Sequence, residues 1–136
     1  MGEQFPWLAE YSVGIAAIDG QHQRLVAMIN ELHQALLARR SREVMGAILS
    51  QLVDYTELHF TFEESLMARY DYPGQQSHQE DHERMRAKVL ALRDEHQAGR
   101  TVISLAVMAF LKDWLSGHIL GTDHLYKDFF QQEGLR

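Results

Sequence analysis

Two pairs of potential metal ligands stand four residues apart in this chain: His59-Phe-Thr-Phe-Glu63 and His78-Gln-Glu-Asp-His82. On an α-helix, residues four apart share a face, one turn above the other. Each pair therefore offers two ligands to a single point. Both pairs also continue apolar stripes of helical period. One runs Ile48, Leu52, Tyr55, His59, Glu63, Leu66, Tyr70, and the other His78, His82, Met85, Val89, Leu92, His96. An unpaired imidazole or carboxylate on a core face is costly, so a buried Glu63 asks for a cation. His22, His118 and Asp123 complete a candidate set of five histidines and two carboxylates. Imidazole suits iron, zinc or copper, and a carboxylate can bridge two hard cations. Seven ligands exceed what one tetrahedral zinc accepts. They suit two six-coordinate ions that share the carboxylates.

The rest of the chain reads as an irregular arm followed by four helices. Residues 1–18 carry Pro6, Trp7, Tyr11, Val13, Gly14, Ile15 and Ile18 without helical period and are expected to pack on the bundle as an extended arm. Residues 19–136 are expected to form the bundle, a single domain with the arm. Asp19 reads as the cap of the first helix, whose apolar face is Leu25, Val26, Ile29, Leu32 and Leu36, to about Arg39. Ser41 caps the second, which Tyr72-Pro73-Gly74 ends. The third begins between Gln75 and Ser77, with Ser77-His-Gln-Glu80 as a possible capping box, and Gly99 stops it. Thr101 starts the fourth, with Ile103, Val107, Phe110, Leu111, Trp114, Leu115 and His118 inward. No strand pattern is present.

Short connections favour an up-down-up-down four-helix bundle, an all-α fold. In that topology the start of the first helix, the end of the second, the start of the third and the end of the fourth lie together. His22, His59 with Glu63, His78 with His82, and His118 with Asp123 occupy those places. One spacing resists: five residues apart, His118 and Asp123 would diverge by about 140° on a regular helix. They share a site only if the helix loosens, which Gly117 and Gly121 favour.

Each element alone has an ordinary reading. A single His-x-x-x-Glu is commonly a surface pair, apolar stripes are simply core, and Trp114 is core packing. His33, His96 and His124 lack a partner at ligand spacing and are taken as non-ligands. The conjunction, with every helix aiming a ligand inward at one level, outweighs these readings.

Composition narrows the classes. At 136 residues the chain makes one domain with a real core. There is no cysteine, which excludes disulfides, cysteine-held clusters and thiolate chemistry, so any metal is held by N and O ligands. A formal net charge of −6 argues against nucleic acid or an anionic membrane surface. No apolar run reaches membrane-span length. Met1-Gly2 resembles a myristoylation start, but Pro6 stands where Ser or Thr is needed. No signal peptide is visible, which points to the cytoplasm, and the two ends read as those of a free-standing chain.

The set Asp19-Gly-Gln-His22-Gln, His59-Phe-Thr-Phe-Glu63, Tyr72-Pro73, His78-x-x-x-His82 and His118-Ile-Leu-Gly-Thr-Asp123 resembles the hemerythrin family, in particular single-domain bacteriohemerythrins. Ser12-Val-Gly-Ile15 and Lys112-Asp-Trp-Leu115 are similar as well, and the match runs from about Trp7 to Phe130. The resemblance implies two iron ions with an oxo or hydroxo bridge. His78, His82 and His118 would hold one iron, His22 and His59 the other, and Glu63 and Asp123 would bridge them. The two-histidine iron would keep an open position for O2, or for a small anion such as azide. In the family the diferrous pair reduces O2 reversibly to a bound hydroperoxide. Leu25, Phe60, Trp114, Leu115 and Ile119 would wall that position and keep it dry. The expected function is reversible O2 storage, transport or delivery, rather than catalysis. The alternatives are an O2 or redox sensor domain, a di-iron enzyme acting on peroxide or nitric oxide, and a non-redox zinc or manganese site.

Overall fold

The structure, a computed structural model, describes residues 5–100 and 102–136, with residue 122 described by its backbone alone. The Met1-Gly2 reading lies outside the described residues, and so does Thr101 itself, but the fourth helix starts at Leu105, capped by Ser104, rather than at Thr101. Among those described there is no strand. Four long helices, α1 (Ala16–Leu37), α2 (Arg42–Arg69), α3 (Gln75–Gln97) and α4 (Leu105–His118), form the expected antiparallel bundle. A π-helical turn, Ile119–Asp123, follows α4, and a short α5 (Lys127–Gln132) closes the chain.

Local chemistry accounts for most boundaries. Ser41 and Ser104 each accept a hydrogen bond from the backbone N–H three residues on, Val44 and Val107, which satisfies an otherwise orphaned donor. The three long turns out of the bundle begin with a residue in the left-handed region: Arg39 at φ 54°, Asp71 at φ 53° and Gly99 at φ 76°. Only Gly99 adopts that region without a Cβ penalty, so the first two stops are poorly marked in the sequence.

Three further expectations require correction. Asp19 does not cap α1, which begins three residues earlier at Ala16. Its carboxylate instead reaches back from the first turn, accepting from Val13 N–H at 2.8 Å and Ser12 Oγ at 2.6 Å, and so ties the arm to the helix. Ser77 is not a cap either, because α3 starts at Gln75 behind Gly74. Phe110 is 39% exposed rather than inward. The buried positions Met108, Leu111, Trp114 and Leu115 set the inner face of α4, and Phe110 falls on its edge.

The described residues before α1, 5–15, pack against the bundle, and Ala9–Tyr11 among them form a 3₁₀ turn, while residues 16–18 of the expected arm belong to α1. Asn30 clamps the segment at Phe5: Phe5 N–H donates to Asn30 Oδ1, and Asn30 Nδ2 donates to the Phe5 carbonyl, both at 2.8 Å. The apolar residues form two clusters. The larger fills the bundle and includes Leu25, Leu52, Phe60, Leu111, Leu115 and Ile119. The smaller, Val13, Ile15, Ile18, Met67, Tyr126 and Phe130, caps one end, where the arm, the end of α2 and α5 meet.

Candidate metal centre

A layer of polar groups lies between the two apolar clusters. His22, His59, Glu63, His78, His82, His118 and Asp123 are all buried. They form two overlapping groups, Glu63-His78-His82-His118-Asp123 and His22-His59-Glu63-Asp123, each with its ligand atoms within 4.8 Å of one another. Glu63 and Asp123 belong to both. The structure thus brings together all seven candidates of the sequence reading. The π turn answers the awkward spacing of His118 and Asp123. Its i→i+5 winding brings residues five apart toward one face, where an α-helix would splay them. Neither Gly117 nor Gly121 is needed for space, since a Cβ at either position would meet nothing within 4 Å.

The atoms converge as ligands do. His22 Nε2 stands 2.8 Å from Asp123 Oδ2, while His78 and His118 Nε2 stand 2.9 and 2.8 Å from Asp123 Oδ1. His59 and His82 Nε2 stand 3.2 and 3.1 Å from Glu63 Oε1. Yet none of the five Nε2 atoms, and neither Asp123 oxygen, meets hydrogen-bond geometry with a protein group. Buried polar atoms in this condition are rare and call for a reason. Lone pairs pointing at common centres supply one.

The outward ring nitrogens support that orientation. His59 Nδ1–H donates to Gln21 Oε1 at 2.6 Å, His82 Nδ1–H to Glu64 Oε2 at 3.0 Å, and His118 Nδ1–H to Asp81 Oδ2 at 2.8 Å. A proton held on Nδ1 leaves the Nε2 lone pair facing inward, the tautomer a metal requires. The three supports interlock the bundle. Each flanks a ligand on its own helix and serves the ligand of the next: Gln21 beside His22, Glu64 beside Glu63, Asp81 beside His82. The sequence reading missed them. Their only signal was adjacency to a ligand, which does not tell which neighbouring helix they reach. Tyr126 was also missed; its hydroxyl donates to Glu63 Oε2, and its ring stacks on His78.

The expected wall residues Leu25, Phe60, Trp114, Leu115 and Ile119 are all buried within the larger cluster. Phe60 lies flat on the His82 ring, 3.9 Å away at 9°, so it contacts the three-histidine group as well as His59. Trp114 Nε1–H donates to the Met85 carbonyl at 3.3 Å, linking α4 to α3. His33 and His96 are buried but outside both groups, as is the half-buried His124.

Without a cation the layer is held together by protons. Burial opposes charge on His78, but Asp123 and Glu63 outweigh it and push its pKa up to about 9. His118 is raised well above its ordinary value against the same burial penalty, chiefly by Asp123. Burial also opposes ionisation of Glu63 and Asp123, yet the surrounding imidazoles hold both below the usual carboxylate range. Burial lowers His59. Because the folded value of His78 lies above 6.5, its contribution to the metal-free fold is full below that pH and fades as pH rises through about 9. A cation needs that same nitrogen unprotonated. Loading a divalent cation near neutral pH should therefore release protons, and affinity should rise with pH. A weakly buffered titration with an indicator dye checks this; loading without proton release would contradict it.

A four-helix bundle with such a layer at one level is the architecture of a helical cation-binding domain. The chain belongs to the hemerythrin family: residues 13–130 match the Hemerythrin HHE cation binding domain. It is 38% identical to a bacteriohemerythrin of Stenotrophomonas maltophilia (strain R551-3), covering 90% of this chain and 78% of that protein. It is 33% identical to a hemerythrin-like protein of Naegleria gruberi, over 90% of this chain and 91% of that one. A crystal structure of wild-type hemerythrin superposes with a TM-score of 0.86 at 29% identity, covering 92% of this chain and 96% of the other. None of the described helices is long and apolar enough to cross a membrane.

Proposed function

We propose that this chain binds O2 reversibly at a pair of non-haem iron ions, as an oxygen-binding protein for storage, transport or delivery rather than a catalyst. The observation that carries the reading is the convergence of five unpartnered Nε2 atoms on two shared carboxylates. The donor set fits the group. It holds no thiolate, it has too many ligands for one tetrahedral zinc, and two of its members face both groups, as bridges must.

In this reading His78, His82 and His118 would hold one iron, His22 and His59 the other, and Glu63 and Asp123, which belong to both groups, would be shared between them. When bound, the pair supplies reversible electron transfer to O2. With two histidines instead of three, the His22–His59 group would leave room for O2 or for azide. Gln21, Glu64 and Asp81 keep the imidazoles oriented, and Tyr126 holds Glu63 by its second oxygen. Leu25, Phe60, Trp114, Leu115 and Ile119 exclude water and the protons it brings. We read residues 1–18 as an arm belonging to the single domain formed with residues 19–136. We read the chain as cytoplasmic, and its net charge of −6 supports a reading with neither nucleic acid nor an anionic membrane surface as partner.

The test is a cycle of anaerobic reduction, O2 addition and evacuation followed by absorption. Reversible binding predicts about one O2 per chain, with the charge-transfer band appearing and vanishing over repeated cycles. Consumption of many equivalents of O2, peroxide or nitric oxide would instead identify an enzyme.

The wall residues give a second test. Leu115→Ala and Trp114→Ala should admit water and accelerate autoxidation while iron content stays at the wild-type level. Each truncation also leaves a cavity costing on the order of 2–5 kcal/mol, so stability is measured alongside. Folded, iron-loaded variants that autoxidise no faster would reduce both residues to core packing.

A further inference from the structure

We propose that Arg86, one turn beyond His82 on α3, is a positioning residue that sets how strongly His82 donates to a bound metal; the inference rests on the di-iron reading above. Its guanidinium reaches both groups that hold the His82 ring. Nη2–H donates to Glu64 Oε2 at 2.6 Å, and that same oxygen accepts from His82 Nδ1–H at 3.0 Å. The guanidinium carbon lies 5.4 Å from the centre of the Phe60 ring, which stacks flat on His82. Nε–H donates to Glu57 Oε2 at 2.6 Å, which anchors the group to α2 a second time.

A carboxylate on Nδ1–H draws the proton outward and makes the imidazole a stronger ligand. A cation on the same oxygen takes part of that effect back. Arg86 and Glu64 are only 21% and 19% exposed, so solvent screens their pairing weakly. The other two supported imidazoles differ. His59 meets the neutral amide of Gln21. His118 meets Asp81, whose arginine, Arg84, stands at 3.4 Å and is mostly exposed. His82 is therefore a ligand whose carboxylate support is divided with a short, largely buried arginine pair.

Arg86→Gln leaves the Glu64 charge undivided on His82. The ring becomes a stronger donor, the ferric state gains, and the reduction potential falls. Autoxidation takes one electron from each ferrous ion and two protons from solvent as O2 departs as hydrogen peroxide. It should run on the order of tenfold faster in Arg86→Gln. Arg86→Lys keeps the charge and should recover most of the difference. Glu57→Gln, at a mostly exposed position, leaves the guanidinium wholly to Glu64 and should move the potential the opposite way. Arg93→Gln, which removes an arginine paired with Asp94 further along α3, should change nothing.

Two readouts test this. NMR of the His82 Nδ1 proton, in the metal-free and cobalt(II)-loaded chain, reports the support directly and needs no O2 chemistry. The resonance should move downfield in Arg86→Gln and upfield in Glu57→Gln. The midpoint potential and autoxidation rate of the iron-loaded chain follow, with thermal stability as a check on folding. An unchanged resonance and potential in folded Arg86→Gln, or equal shifts in Arg93→Gln, would overturn the proposal. Should Arg86→Gln not fold, a Glu57→Gln potential equal to wild type would overturn it. If the wild-type iron protein oxidises irreversibly under O2, the oxygen-binding reading fails, and the cobalt(II) resonance still decides the role of Arg86.

Discussion

Glu63→Ala will leave a chain that no longer holds a pair of metal ions. Glu63 is common to both ligand groups, so its loss removes a donor from each position and a negative charge from between them. The imidazoles of His59 and His82, which face Glu63 Oε1, would then crowd a cavity without the anion that lets two cations sit close together. Asp123→Ala should do the same from the opposite side, since three histidines face its two oxygens. Metal analysis of the purified chain should give about two ions for wild type and no coupled pair for either variant. His33→Ala, His96→Ala and His124→Ala serve as controls and should keep the full complement. Loss of metal from any of those three, or one tightly held zinc in wild type, would contradict the ligand assignment.

Stripping the metal should produce the largest change in stability. Seven ionisable ligands are buried in one layer, and a cation that binds only the folded chain adds its binding free energy to folding. Protons on His78 and His118 replace part of that charge, but they leave lone pairs and oxygens without good partners. An uncompensated buried charge costs roughly 3–5 kcal/mol. For a chain of this size that corresponds to a fall in Tm on the order of 10 °C or more. Calorimetry before and after chelation measures it, and restored iron should restore the transition. Equal transitions with and without metal would mean that the layer is not a metal site. The metal-free chain should also be the more sensitive to alkali, as the His78 contribution fades toward about pH 9.

Much of this architecture was legible in the sequence because it depends on short-range periodicity. Helical spacing put Leu52, His59 and Glu63 on one face of α2, and His78, His82 and Val89 on one face of α3. Ser41 and Gly99 marked helix ends through their own backbone chemistry. Where the local signal was ambiguous, the reading slipped. Asp19 has the right residue type for a cap, but Ile15 and Ile18 pack into the end cluster and the helix starts earlier, at Ala16. Arg39 and Asp71 adopt left-handed backbone without being glycine, so the reading carried α1 to about Arg39 instead of Leu37, and marked the end of α2 only by Tyr72-Pro73-Gly74, just past its last residue Arg69. The short α5 carries too few residues for a period to show, and its place comes from Phe130 entering the end cluster.

What the sequence determined by itself was the set of seven candidate ligands and their level in the bundle. Both follow from spacing along single helices and from the antiparallel order that short connections impose. The tertiary structure alone decided how the ligands are held. The π turn at Ile119–Asp123, needed for His118 and Asp123 to meet, costs a regular helix its register and survives because Ile119, Asp123 and Tyr126 are all buried there. The supports Gln21, Glu64 and Asp81, and the arginine behind one of them, act across helices, between residues 18 to 38 apart in the chain. No local pattern encodes such contacts, because the angle and rotation of each helix against its neighbour are fixed only when the whole core packs.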